Sequence, residues 1–383
     1  MLLILSGVAY AKAQPAQGGS EANSKYKTLA TKAVNDLLGH FWTGSITGGH
    51  IVSPYLGKER GVLWSRATFL CVLENQWEAT HDPSLKLRIG AEWKYIQSVF
   101  THAELISCGK GSQNWGSDDV AWTTWMYLKI YGVTKDTEAL KCAKELAYVS
   151  FTRWYSFDYG GGLWYNDDKN GKGLYMAANA LGYLRIYEIT HERGYLNKAM
   201  LCYDWMEDKM LRPDGLYWMG YTKDGPQGFN NPYGYGEAGS NVYFGGAMAM
   251  GVLHAKLYRL TRNEMYRKRA VRTAYALRTF LTDSNGVFID DRDAWTNGTF
   301  CGDWAREVLS LPGIDPLDIK TLRDSATAIY TKDRTPDGLY GACWDGPITA
   351  PNPWTLTQAV STPDQITTSS QAVSIIVGAA NAP

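Results

Sequence analysis

The sequence predicts an all-α fold of six helix hairpins, and three patterns carry that prediction. A short polar connector recurs as Glu78-Ala79-Thr80-His81-Asp82-Pro83, Tyr131-Gly132-Val133-Thr134-Lys135-Asp136, Tyr187-Glu188-Ile189-Thr190-His191-Glu192 and Tyr258-Arg259-Leu260-Thr261-Arg262-Asn263, each time between two apolar stretches of helical period. Its threonines lie about 54, 56 and 71 residues apart, the interval of a repeated helix pair. A glycine-centred apolar turn alternates with the connector, in Gly161-Gly162-Leu163-Trp164, Asp214-Gly215-Leu216-Tyr217, Gly286-Val287-Phe288 and Asp337-Gly338-Leu339-Tyr340. It marks a tight turn or short extended piece within a longer loop. Strand-like alternation is missing throughout.

Taken in order, helices are expected to begin near residues 23, 61, 84, 118, 136, 172, 195, 239, 264, 298, 316 and 367. Leu311-Pro312-Gly313-Ile314-Asp315 is a fifth, looser connector before the helix near 316. Thr367, Thr368 and Ser369 start the last helix, whose body, Gln371 to Ala380, is apolar. If the hairpins close into a ring, the helices near 61, 118, 172, 239, 298 and 367 line its inside, and the long loops gather on one face. An open solenoid uses similar hairpins. No low-complexity linker divides the chain, so residues 24–380 read as a single domain, with Ile348 to Thr362 a long Pro/Thr/Ser-rich loop.

Ahead of this domain, Met1 to Ala13 has an apolar run from Leu2 to Val8 followed by Ala11-Lys12-Ala13, the pattern of a secretion signal without a basic start. A secreted, periplasmic or cell-envelope location is therefore expected. No later apolar run is long enough to span a bilayer. Lysine plus arginine and aspartate plus glutamate are equal at 38 each, so no long-range field recruits nucleic acid or an anionic membrane. Cys71, Cys142 and Cys202 sit in helical patterns as small apolar residues, while Cys108, Cys301 and Cys343 lie in or near loops, where one bridge has room to form. No cysteine or histidine cluster has metal-ligand spacing along the sequence, and neither a metal nor a cofactor is expected. The chain is expected to act as a monomer.

The aromatic content is 15 Trp and 25 Tyr, and these side chains offer flat faces with polar edges that suit sugar rings as well as protein cores. Against that background Asp118 and Asp119 stand out. They follow Trp115-Gly116-Ser117, where a polar loop becomes a long aromatic-rich helix. Serine and aspartate cap helix starts, so the pair taken alone reads as a cap. Glycoside hydrolysis also needs two carboxyl groups, one acid and one nucleophile or base. Trp64-Ser65-Arg66, at the start of the second helix, brings an aromatic face and a cation to the same rim, for contact with a sugar or an aspartate, or for a structural ion pair. Gly234-Tyr235-Gly236-Glu237-Ala238-Gly239 has dinucleotide-like glycine spacing but no preceding strand, and reads as a substrate-side loop with Tyr233, Tyr235 and Glu237 as contacts. Asn166-Asp167-Asp168-Lys169-Asn170-Gly171 fails the calcium-loop pattern and reads as a solvated turn. Asp290-Asp291-Arg292-Asp293 is a second acidic cluster, and Asn297-Gly298-Thr299 a glycosylation sequon.

These motifs, in this order, resemble glycoside hydrolase family 76, the endo-α-1,6-mannanases. The resemblance spans about residues 24 to 380 and rests on Asp118-Asp119-Val120-Ala121-Trp122, Gly161-Gly162-Leu163-Trp164-Tyr165-Asn166, Ala178-Asn179-Ala180-Leu181, Trp344-Asp345-Gly346-Pro347 and the closing Ser370-Gln371-Ala372 helix. It implies an (α/α)6 barrel, with Asp118 the nucleophile and Asp119 the acid/base of a retaining endo-α-1,6-mannanase acting on α-mannan. Members often carry Tyr-Asn-Gln-Gly at the start of the eighth helix, where this chain has Ser240-Asn241-Val242-Tyr243. The expected substrate contacts are Trp64, Arg66, Trp115, Asn179, Tyr235, Glu237 and Asn241. A mannan transglycosylase on the same fold and a non-catalytic glycan-binding envelope protein are the alternatives.

Overall fold

The computed structural model describes residues 19–52, 63–107, 116–227, 244–289, 298–341, 344 and 365–383. Six helices form the inner wall: α2 (Leu63–Thr80), α5 (Ser117–Thr134), α7 (Met176–Thr190), α9 (Phe244–Thr261), α11 (Cys301–Glu307) and α13 (Gln365–Asn381). Each packs on the next, and α13 packs on both α11 and α2, so the ring is closed and the solenoid alternative falls away. Outside it lie α1 (Gly19–Phe41), α3 (Pro83–Val99), α6 (Thr137–Trp154), α8 (Arg193–Lys209), α10 (Glu264–Phe280) and α12 (Pro316–Lys332). Outer α1 packs chiefly on α13, so the last helix pairs with the first.

The two layers differ as their positions require. Inner helices meet the barrel interior on one side and outer helices on the other, so α9 is buried at every residue from Phe244 to Leu257. Outer α10 buries only a stripe, Tyr266, Ala270, Thr273, Ala274, Ala276 and Leu277, at three- and four-residue spacing. Large rings fill the centre: Phe300 packs on Trp122 and Trp125, and Phe244 on Phe288 and Trp344. Many of the tryptophans thus serve the core; Trp122, Trp125, Trp304 and Trp344 are all buried.

The recurring connector is one device used four times. In each copy the threonine hydroxyl donates to the carbonyl four residues back at 2.7–2.9 Å. It also accepts the N–H two residues on, at 3.1–3.3 Å. The residue between, His81, Lys135, His191 or Arg262, takes left-handed backbone with φ of 54 to 62°. Asp82, Asp136 and Asn263 then cap the next helix through the amide two residues ahead. Left-handed backbone without glycine costs about 1–2 kcal/mol. Arg262 is exposed, so Arg262→Gly is expected to stabilise the protein by about 0.5–1 kcal/mol, read as a raised urea midpoint at unchanged slope.

The glycine turns are equally regular. Each closes an isolated antiparallel bridge: Tyr155 with Leu163, Leu211 with Tyr217, Thr282 with Phe288, and Arg334 with Tyr340. Gly215, Gly286 and Gly338 occupy positive φ at the tip of the last three. The loops also hold short strands, β1 (Trp42–Thr43) with β2 (His50–Ile51), and β3 (Lys172–Gly173), β4 (Gly220–Thr222) and β5 (Gly225–Gln227) in the order β3-β4-β5. The helix expected near 172 therefore starts at Met176, because Lys172 and Gly173 pair instead with Tyr221 and Gly220. One further turn of helix, α4 (His102–Leu105), is held by a capping box between Thr101 and Glu104. Cys301 opens α11, buried and free, so the bridge considered for it does not form; Cys108 and Cys343 lie outside the described residues. No helix among the described residues is long and apolar enough to cross a membrane.

Candidate active site

Asp118 and Asp119 occupy the first turn of α5, at the end of the barrel where the inner helices begin. The capping expectation holds in part, since the Asp119 carboxylate accepts the Gly116 N–H at 3.1 Å. Asp118 Oδ1 accepts the Asp119 N–H at 2.9 Å. Gly116 must be glycine for a steric reason: a Cβ there would stand 2.0 Å from Asp118 Oδ1 and 2.8 Å from the Tyr165 ring.

Two layers hold this helix start in place. Ser117 donates its N–H to the Tyr165 carbonyl at 2.6 Å, tying α5 to the loop after the Gly161 turn. Lys172 braces that loop from beneath, its ammonium donating to the carbonyls of Ser156, Asp158 and Gly161 at 3.1, 2.5 and 2.5 Å. Burial lowers the Lys172 ammonium to about 8. Behind the pair, Asn179 on α7 donates to the Ser117 carbonyl at 3.0 Å and accepts from Ser150 Oγ at 3.0 Å. Asn179 is buried and engaged at both ends of its amide, so it positions the aspartate-bearing turn where a sugar contact was expected.

Both carboxyl groups are half-buried, with protein around all but an accessible edge. Burial pushes the Asp118 carboxyl up to about 6, against the backbone amides of Asp119 and Asp118 itself and the Tyr165 hydroxyl, which favour the anion. Asp119 is raised well above the ordinary range, first by burial and then by the charge of Asp118, with only the Gly116 amide opposing. Both carboxyls are therefore raised, and the charge of one disfavours ionisation of the other, so the pair holds one proton more readily than two neighbouring exposed aspartates would. Tyr165 and Tyr175 form a tilted ring pair, 5.0 Å between centroids. Tyr165 is 41% exposed, a ring face available to a ligand beside the pair. Neither tyrosine was singled out as a contact from sequence. The available signal was the place of Tyr165 directly after the Gly161-Gly162-Leu163-Trp164 turn.

Arg66 needs correction as a rim contact. It has no exposed surface, its guanidinium pairs with Glu92 and donates to the Ile51 carbonyl at 3.1 Å, and Glu92 accepts the Ile51 N–H at 2.6 Å. It is the structural ion pair of the two readings. Trp64 is half-buried against the core at the same end of α2. Trp115, Tyr235, Glu237 and Asn241 lie outside the described residues, as do Tyr233, the Asp290–Asp293 cluster and Asn297. Asn166–Asp168 is a turn closed by the Asp168 N–H on Asn166 Oδ1 at 3.1 Å, with Asp167 taken by Arg153 and Trp154.

Comparison with known proteins adds to this geometry. The model of glycosyl hydrolase family 76 matches residues 25–366. No curated protein matches the chain in sequence. Among solved structures, the fold is similar to an inactive variant of an α-1,6-mannanase of Salegentibacter sp. HEL1_6 in complex with α-1,6-mannotriose. In that variant two consecutive aspartates are replaced by asparagine; the identity is 20%, the TM-score 0.71, and 93% of this chain and 99% of that one are covered. A family 76 mannosidase of Bacteroides thetaiotaomicron is similar at 18% identity and TM-score 0.69, covering 93% and 98%. Dfg5 from Chaetomium thermophilum, in complex with glucosamine, is similar at 16% identity and TM-score 0.62, covering 95% and 92%.

Proposed function

The chain belongs to glycosyl hydrolase family 76 and is a glycoside hydrolase; from that premise we propose that it is a retaining endo-α-1,6-mannanase, with Asp118 the nucleophile and Asp119 the acid/base. The observation that carries the assignment is the geometry of the pair: two half-buried carboxyl groups side by side in the first turn of α5, Asp118 Oδ1 accepting the Asp119 N–H at 2.9 Å and the Asp119 carboxylate accepting the Gly116 N–H at 3.1 Å. Adjacent Cα atoms lie about 3.8 Å apart, which suits the ~5–5.5 Å carboxyl separation of retaining enzymes better than the wider inverting gap. In the first step Asp119 gives its proton to the glycosidic oxygen as Asp118 attacks the anomeric carbon, forming a glycosyl ester. Asp119, now an anion, takes a proton from water, which displaces Asp118 and restores both groups.

The substrate assignment draws support from the Salegentibacter enzyme, whose structures hold α-1,6-mannotriose and an α-1,6-linked tetrasaccharide, and from the exposed Tyr165 ring beside the pair. Export belongs to the same proposal, since a mannan polymer is met outside the cell; the apolar start from Leu2 to Val8 supports it. The deciding assay is linear α-1,6-mannan beside branched yeast mannan. A ladder of oligosaccharides early in digestion is expected. Mannose as the sole early product would overturn endo action, and saccharide binding without new reducing ends on either polymer would overturn the enzyme reading. Longer products on adding an acceptor sugar would instead identify transfer.

Tyr165→Phe tests the hydrogen bond that favours the Asp118 anion. Its loss is expected to move the acid limb of kcat/KM to higher pH and to lower the plateau about tenfold, a cost typical of one hydrogen bond to a charged group. An unchanged acid limb would remove Tyr165 from the argument.

A further inference from the structure

Along the sequence no metal motif is visible, yet the fold gathers a nitrogen, an oxygen and a sulfur ligand at the junction of α4 and α6. His102 comes from α4, and Glu138 and Cys142 stand four residues apart on one face of α6. One ligand atom from each lies within 4.8 Å of the other two. His102 Nδ1 is 3.5 Å from Glu138 Oε1. The opposite ring nitrogen, Nε2, is 2.7 Å from Glu145 Oε2, one turn further along the same face of α6. We propose that His102 Nδ1, Glu138 and Cys142 Sγ form a binding site for a Zn2+-class ion, with Glu145 orienting the imidazole.

The chemistry of the donors selects this class. Imidazole, carboxylate and thiolate together suit a borderline-soft ion and are a poor match for Ca2+ or Mg2+, which take oxygen ligands. A ligating histidine characteristically donates its other N–H to a carboxylate, and Glu145 already holds that place. Zinc ligands stand at about 2.0–2.3 Å from the ion, so the three atoms must draw closer together than their present spread. The two ligands that must move are the exposed ones, His102 and Glu138, at 45% and 39% of side-chain surface, while Cys142 stays fixed in the core. Lys141, at 3.4 Å from Glu138 Oε1, is the cation the metal displaces. On binding, one proton leaves Cys142 Sγ for solvent as the S–Zn bond forms, and a water completes a four-coordinate set; no redox change is involved.

The site has a structural consequence. Tyr127 of α5 donates to the Leu105 carbonyl of α4 at 2.9 Å, so fixing α4 to α6 braces the hairpin that begins with the aspartate pair. At Zn2+ one hundred times above Kd, the melting temperature of the metal-free protein is expected to rise by about 3–4 °C. Co2+ should give the near-ultraviolet thiolate-to-cobalt charge-transfer band, and equilibrium dialysis one ion per chain. His102→Ala, at an exposed position that does not threaten folding, should abolish the shift and lower affinity, and Cys142→Ser should abolish the band. Glu145→Gln should weaken affinity roughly 10- to 100-fold at unchanged stoichiometry. A wild-type protein with no cobalt band and no shift at millimolar Zn2+, or a shift that survives in His102→Ala, would overturn the proposal.

Discussion

Asp118→Asn and Asp119→Asn are each expected to lower mannan hydrolysis by at least about 10³-fold while leaving the far-ultraviolet circular dichroism unchanged. Full activity in both would sink the assignment. The two roles separate with the corresponding alanine variants. Asp119→Ala lacks the proton donor and the base for water, so on an aryl mannoside whose leaving group needs no proton it should release a burst of aglycone and then stall at the glycosyl ester, with turnover restored by an added anionic nucleophile such as azide. Asp118→Ala lacks the nucleophile and should fail on both substrates. The pH profile of the wild type follows from the same two roles. Activity requires an ionised Asp118, so kcat/KM falls as pH drops through about 6, and a protonated Asp119, so it falls again once pH rises through the higher value of that group. Stability runs the opposite way. Asp118 has a folded-state value above its unfolded one, so it contributes stability below about pH 4 that is lost as pH rises through about 6. Asp118→Asn removes that loss, and at pH 7 it should be more stable than the wild type by about 1–2 kcal/mol after allowance for the accessible edge of the carboxyl. A variant both inactive and less stable would mean that the aspartate pair mainly caps α5.

Which features were legible in the sequence follows from how far apart their partners lie. The connector Thr80-His81-Asp82 and its three copies close within four residues, by a threonine hydroxyl, a left-handed residue and a cap, so the repeat showed the hairpins directly. The turn ending in Tyr340 was visible for the same reason, with Gly338 at its tip. Ring closure was not, because it depends on α13 meeting α2 across the whole chain. The two- and three-residue strands escaped detection since alternation needs more length than Lys172-Gly173 provides, and their pairing with Tyr221 and Gly220 is remote. Arg66 was placed at the right end of α2 but on the wrong side of it, because its partner Glu92 belongs to the next helix. The aspartate pair was legible as either cap or catalyst. Only the environment that Tyr165, Asn179 and Gly116 build around it separates the two carboxyl groups.

The opposite end of the barrel should be the more fragile one. Lys129 lies eleven residues beyond Asp118 on α5, about 16 Å along the axis, and its ammonium bonds Glu74 on α2 at 2.6 Å and Asp303 on α11 at 2.7 Å. All three are buried. Burial alone would lower the Lys129 ammonium, but Asp303 and Glu74 outweigh it and hold it above its ordinary value. Asp303 is held below its usual range despite burial, because it faces both Lys129 and Arg306, the latter at 2.7 Å. Glu74 has no second cation in direct contact among the described residues, and burial leaves it raised. Lys129→Met fills a similar volume but strands Glu74 as a buried charge, so it is expected to cost about 3–5 kcal/mol in urea unfolding. The sign of the pH dependence identifies the cause. A carboxyl raised in the folded state contributes stability at low pH that disappears as pH rises, so the deficit should shrink as the solution is acidified and Glu74 takes up a proton. Lys129→Met combined with Glu74→Met replaces the pair by apolar groups and leaves Asp303 with Arg306, and should recover most of the loss. A single variant within about 0.5 kcal/mol of the wild type would show that the charges are solvated rather than sealed. Where the protein remains folded, kcat should be unchanged, because the aspartate pair is held by α7 and the Tyr165 loop and makes no contact with this end of the barrel.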